Sequence, residues 1–169
     1  MIQSKSFVTL IGAAVSVVFV GGCTSFRAES FWGPAQKLSG LGASFAWRQV
    51  AKCEPDASKV GGSDIDATFH DLIEADLMSK GYRKSNDRSV DFSVCYRMGK
   101  RERQSETQLG TWDEATLGVE LTDPSTGGLI WRGFVHGRID YSAPPEARKA
   151  RLETAVRQLL QPLPKAGSR

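Results

Sequence analysis

Val90, Phe92, Val94, Tyr96 and Met98 alternate with Asp91, Ser93, Cys95, Arg97 and Gly99. Successive side chains of a strand point to opposite faces, so this run predicts a strand with one face in a core and one wetter face. Leu117, Val119 and Leu121 alternate in the same way within Thr116 to Asp123. The turn Asp123-Pro124-Ser125-Thr126-Gly127-Gly128 has Pro and Gly where a hairpin needs them and leads into Leu129 to Ile139. There Leu129, Trp131, Val135 and Ile139 share a face, and Gly133 and Gly137 leave room for Trp131 or for close backbone approach. A further strand is expected earlier, over Ala43 to Val50, with Phe45 and Trp47 on one side and Ser44, Ala46 and Arg48 on the other.

Two segments carry a helical period instead. Ile65, Phe69, Leu72, Ile73 and Leu77 form one apolar stripe; Ser63 is placed to cap it, and Asp64 and Asp66 suit the positive end of its dipole. Gly81 follows in the position where a left-handed residue closes a helix, with Tyr82 folding back as the apolar contact. Pro144-Pro145-Glu146 opens a second helix, where a missing N–H costs nothing, and Leu152, Ala155, Val156, Leu159 and Leu160 make its stripe before Pro162 and Pro164 stop it. Residues 24–42 read as a tether into irregular structure, with Phe31-Trp32 able to dock on the domain, and no strand is read before Ala43. Lys52 to Gly62 reads as a loop, Lys100 to Thr111 as a loop or an exposed strand extension, and residues 165–169 as a polar tail. The order β-α-β-β-β-α predicts a two-layer α+β domain: an antiparallel sheet of about four to five strands with both helices on one face.

The apolar run Phe7 to Val20 is broken only by Thr9, Gly12 and Ser16, follows the single positive charge of Lys5, and ends in Val20-Gly21-Gly22-Cys23. As a helix it reaches about 21 Å at roughly 1.5 Å per residue, short of a hydrocarbon core of about 30 Å. Its length and flanks fit the apolar region of a signal peptide. The segment resembles the lipobox of bacterial lipoproteins, in which cleavage precedes a cysteine that carries lipid. That resemblance implies removal of residues 1–22 and two or three acyl chains on Cys23, enough for firm anchoring where one chain is marginal. Thr24, rather than Asp, implies sorting to the inner leaflet of the outer membrane, facing the periplasm. An ordinary secretory signal with an incidental cysteine is the plainer alternative.

Residues 24–169 have the size of one domain and can bury a core without staples. The formal charge of +3 falls by one when Lys5 leaves, which does not favour nucleic acid as a partner. The densest basic run, Arg97, Lys100, Arg101 and Arg103, reads as a solvated strand end ahead of a phosphate or lipid-headgroup patch. Cys53 and Cys95 are an even pair in an oxidising compartment and invite a disulfide, with two unpaired thiols as the alternative. A zinc site from Cys53, Cys95, His70 and His136 lacks the close ligand pairs such sites show, and no metal or other cofactor is expected. A Cys95–His136 dyad across outward strand faces is conceivable but competes with the disulfide. Trp47 and Trp131 are expected in the core. Trp32 and Trp112 stand in polar surroundings as a candidate contact surface, packing against the domain's own edge being the alternative.

Phe45-Ala46-Trp47, Lys80-Gly81-Tyr82, Val90-Asp91-Phe92-Ser93-Val94, Leu117 to Asp123, Ile130-Trp131-Arg132-Gly133 and the closing Leu163-Pro164 come in a recognisable order. Together they resemble the bacterial lipoprotein family with domain of unknown function 4136, over residues 43–164. The resemblance implies a scaffold and brings no catalytic residues. The expectation is a non-enzymatic periplasmic lipoprotein, held to the membrane by lipid on Cys23, acting as a binding or assembly module with an envelope protein partner. A carrier of a small apolar ligand between sheet and helices is the alternative, and a thiol-dependent enzyme a more distant one.

Overall fold

The computed structural model describes residues 26–34, 42–53, 63–87, 89–104 and 110–167. The alternating run becomes β4 (Phe92–Gln104), which pairs antiparallel along its length with β5 (Thr111–Thr122). β5 pairs in turn with β6 (Leu129–Arg138). Residues 100–104 and 111 lengthen the β4–β5 ribbon, so the strand-extension reading of that stretch holds for them; residues 105–109 lie outside the described residues.

Two strands depart from the antiparallel expectation. β2 (Ser44–Lys52) runs parallel to β4, and the two-residue β3 (Arg83–Lys84) runs parallel to β2 on its other side. The reason is α1 (Ser63–Ser79), which intervenes between them: a helix carries the chain back to the end it left, so the next strand runs the same way. The second departure is at the start of the chain. Residues expected to belong to the tether form β1 (Arg27–Trp32), paired antiparallel with β6. All six of its residues are exposed and Phe31 and Trp32 are adjacent rather than alternating, so no two-residue pattern betrayed it. The sheet is therefore mixed and six-stranded, in the order β1-β6-β5-β4-β2-β3.

α1 and α2 (Pro145–Leu160) pack on each other, and their stripes cover one sheet face. Phe69, Ile73 and Leu77 from α1 and Ala155, Val156, Leu159 and Leu160 from α2 enclose Phe45, Val94, Val119, Leu121 and Trp131. The two-layer α+β arrangement with both helices on one side is as the periodicity implies.

α1 ends as expected. Gly81 adopts φ +92°, its N–H donates to the Met78 carbonyl at 2.9 Å, and the Tyr82 N–H donates to the Leu77 carbonyl at 3.1 Å. These bonds satisfy carbonyls left over by the last turn, and a left-handed residue there suits glycine. Tyr82 turns into the core, and its hydroxyl donates to the Pro164 carbonyl at 2.8 Å; burial pushes that phenol up to about 12. The Ala166 N–H donates to the Lys80 carbonyl at 2.9 Å and Ala166 packs on the core, so the start of the expected polar tail is docked.

Gly133 is a matter of space. A Cβ there would stand 2.4 Å from the Trp131 ring and 3.0 Å from Leu159. Gly133→Ala is therefore expected to destabilise by about 1–3 kcal/mol through overpacking. Gly99→Ala, with nothing within 4 Å of the new methyl, should change little. Paired urea denaturation of the two variants checks this.

Candidate interaction face of the sheet

The helices cover only one face of the sheet. On the other, β4 presents Cys95 and Arg97, β5 presents Glu120 and Gly118, and β6 presents Arg132, Phe134 and His136. Backbone register alone brings these together, because every second residue of each strand points the same way.

Glu120 is only 6% exposed although, among the described residues, no helix lies over it. A buried carboxylate needs partners, and it has two. Arg97 donates to its Oε1 from one side, and Arg132 Nε stands 2.7 Å from the same oxygen on the other. Each guanidinium also lies over an aromatic ring at 5.6 Å, Arg97 over Phe134 and Arg132 over Phe31 of β1. Gly118 makes the first of these contacts feasible. It sits between Arg97 and Phe134 in register, and a Cβ there would be 2.8 Å from both side chains. A glycine inside a strand is the sequence signal for such close approach; Gly118 carried that signal and Glu120 carried none.

The same face holds the cysteines. Cys53, just past β2, is disulfide-bonded to Cys95 with a Cα–Cα distance of 5.1 Å. The Cys53 N–H donates to the Tyr96 carbonyl at 2.8 Å. Arg48 Nη1 donates to Cys95 Sγ at 3.5 Å, and the Glu120 carboxylate lies within 4.8 Å of both sulfurs. The bonded sulfurs offer no thiolate to a metal or a substrate, and the two histidines are elsewhere. His136 lies four residues along β6 from Arg132, the neighbour of Glu120 in register. Its Nδ1 is 2.9 Å from Thr116 Oγ1 and its Nε2 3.3 Å from Glu29 Oε1. His70 is half-buried on α1 and stacks on Trp47 at 4.1 Å. Neither the four-residue zinc set nor the Cys95–His136 dyad is assembled.

Trp47 packs at the core edge, where its Nε1 donates to Glu74 Oε2 at 2.9 Å, an oxygen that also accepts from Lys84 Nζ at 2.7 Å. Burial raises the Glu74 carboxyl, but these bonds together with the Lys84 charge hold the group below its ordinary range. Glu114 follows the same logic: burial pushes it up, and Arg101 and Arg103 more than offset that. Arg101 and Arg103, expected as a solvated strand end, are thus tied to Glu114, while Arg97 is tied to Glu120.

Of the tryptophans expected at the surface, Trp32 is 37% exposed beside Phe31 at 47%. Trp112 is half-buried, opposite Arg103 near the end of the β4–β5 ribbon. Cys23 lies outside the described residues. The space foreseen for an apolar ligand near Trp131, Gly133 and Gly137 is filled by the Trp131 ring over Gly133 and by Phe26 over Gly137. An open groove of about 320 Å³ lies instead between the helices, with Asp76, Ser79, Glu153 and Arg157 among its walls. Asp76 is held above its ordinary range by burial, against the pull of Lys80 and Arg157.

Fold and face together define a two-layer α+β domain whose helices leave one side of a mixed, disulfide-tied sheet open. The chain belongs to the family described as domain of unknown function (DUF4136), which matches residues 40–165. No curated protein matches it. Among solved structures, it is similar to the PelC dodecamer from Paraburkholderia phytofirmans, at 15% identity and TM-score 0.55, over 85% of this chain and 100% of that one. A PDZ domain protein from Parabacteroides distasonis follows at 12% identity and TM-score 0.46, over 83% of this chain and 38% of that one. A minor lipoprotein from Acinetobacter baumannii gives 13% identity and TM-score 0.39, over 73% of this chain and 98% of that one. At these identities the PelC likeness speaks for a shared fold alone.

Two outcomes are expected. Cys53→Ser with Cys95→Ser reopens a loop with a sequence separation of 42, and should lower unfolding free energy by about 4 kcal/mol on chain entropy, read by urea denaturation under non-reducing conditions. Glu74 and Glu114, with lowered folded-state values, contribute stability that is present above the unfolded carboxylate range and lost as pH falls through the folded values. Tm should accordingly drop between about pH 5 and pH 3, and Glu114→Gln should flatten that drop.

Proposed function

We propose that this chain is a lipid-anchored, non-catalytic protein of the cell envelope, seated on the inner leaflet of the outer membrane and facing the periplasm, where it acts as a binding or assembly module. The observation that carries this reading is the apolar run Phe7 to Val20 leading to Cys23, followed almost at once by a folded domain that begins by Phe26. A disulfide inside that domain suits an oxidising compartment. Among the described residues no helix is long and apolar enough to cross a membrane.

The binding role is supported by the open sheet face and its edge. Glu120, Arg97, Arg132, Phe134 and Phe31 form a rigid charged and aromatic lattice, next to a β1 edge whose outer backbone groups pair with no described strand. Cys95, the thiol a catalytic reading would need, is held in a disulfide. The similar PelC protein is described as a dodecamer, so a second copy of this chain belongs among the partners to be tested, beside other envelope proteins.

The intact mass of protein extracted from native membranes should show loss of residues 1–22 and diacylated or triacylated Cys23, and Cys23→Ala should leave the membrane fraction. A free thiol at Cys23 in membrane-extracted protein defeats the reading. Crosslinking in cells should trap either a specific envelope protein or a ladder of self-adducts; recovery of bulk lipoproteins alone counts against the binding role.

A further inference from the structure

Phe26 is held firmly in the domain. Its ring occupies the place a side chain at position 137 would need, at 2.6 Å from that Cβ, and the Arg151 guanidinium lies over it at 5.5 Å. Cys23 is three residues earlier. Three fully extended residues reach at most about 11 Å, so an acylated Cys23 keeps this point of the domain about one Debye length from the lipid surface. Residues 27–32, expected within a tether, are β1 and so add no length between Cys23 and the domain.

The point so held belongs to one end of the sheet. β1 begins there, β6 ends there, the β4–β5 ribbon projects there, and α2 begins there. That end gathers Arg27, Arg138, Arg148, Lys149 and Arg151, and the Arg151 side chain donates to the Arg138 carbonyl at 3.0 Å. Several carboxylates nearby already have partners: Glu29 faces Arg27 and accepts at 3.3 Å from the His136 ring, Asp113 faces Lys100, and Glu114 faces Arg101 and Arg103. Among the described residues no carboxylate lies within ion-pair distance of Arg138, Arg148 or Lys149; Asp140 faces the Arg151 charge, and Glu146 and Glu153 lie one helical turn either side of Lys149. Two aromatic side chains of interfacial character stand at the same end, Tyr141 at 64% exposure and the half-buried Trp112. Tyr141 donates to Asp113 Oδ2 at 2.5 Å, which fixes its loop against the ribbon.

We propose that this basic, aromatic end docks on an anionic phospholipid surface, with Arg148 and Lys149 meeting headgroup phosphates and Trp112 and Tyr141 at the interface. The domain is then seated in one orientation, with Trp32 and the β2–β3 edge turned away from the bilayer. The inference rests on the lipid-anchor reading of Cys23.

The test uses the full acylated chain, its acylation confirmed by intact mass, reconstituted in phosphatidylcholine vesicles with or without phosphatidylglycerol. Lipids brominated in the acyl chain quench tryptophans near the interface. Quenching is expected to be stronger on anionic vesicles, to weaken with salt, and to be lost in Trp112→Phe, since Trp32, Trp47 and Trp131 lie away from this end. Arg148→Glu with Lys149→Glu, both exposed and so safe for folding, should shift the docking equilibrium by about fivefold or more per residue while the protein still pellets with vesicles. An acylated protein whose quenching ignores lipid charge and both sets of variants overturns the docking and leaves the anchor standing. A free thiol at Cys23 overturns both.

Discussion

A sheet with one apolar face has to be covered, and two helices supply the cover. Val94, Tyr96, Val119, Leu121 and Trp131 come to one side because β4, β5 and β6 are in antiparallel register, and each helix brings one stripe to meet them. Everything else in the fold accommodates that burial. Gly133 is small because Trp131 lies over it, and the glycine turn after α1 is what lets Tyr82 reach back under the closing segment.

Among the described residues no second layer lies over the other face, and Glu120 finds its partners within the sheet. Two arginines approach it from neighbouring strands and are themselves backed by Phe134 and Phe31. Such a pair of ions is weak evidence for net stability, because desolvation offsets much of the attraction. Its effect is on rigidity: the lattice spans four strands and includes β1, which has few other contacts in the core. The disulfide does the same for the far side, holding the end of β2 to β4 beyond a register irregularity. Ion pairs, cation–π contacts and the disulfide thus link five strands across this face.

The position of β1 changes what the N-terminus does. Residues expected to lie in a tether instead form an edge strand paired with β6. The fold thereby brings Phe26 and the cations at the start of α2 to the same end of the sheet.

Much of this was written locally. The alternation in β4 and β5, the stripes of α1 and α2, and the Gly81-Tyr82 stop depend on residues within a few positions of one another, and local periodicity reports them. β1 was not legible in this way, since an exposed edge strand takes its structure from the partner it pairs with, and six surface residues carry no pattern that names β6. Nor could the parallel pairing of β2 be read, because strand direction is set by where α1 leaves the chain. The open face is the clearest case: Arg48, Cys53, Cys95, Arg97, Glu120, Arg132, Phe134 and Phe31 are scattered from one end of the domain to the other. Only the register of five strands makes them neighbours, and only burial within that arrangement turns Glu120 from one acid among nineteen into the centre of the surface.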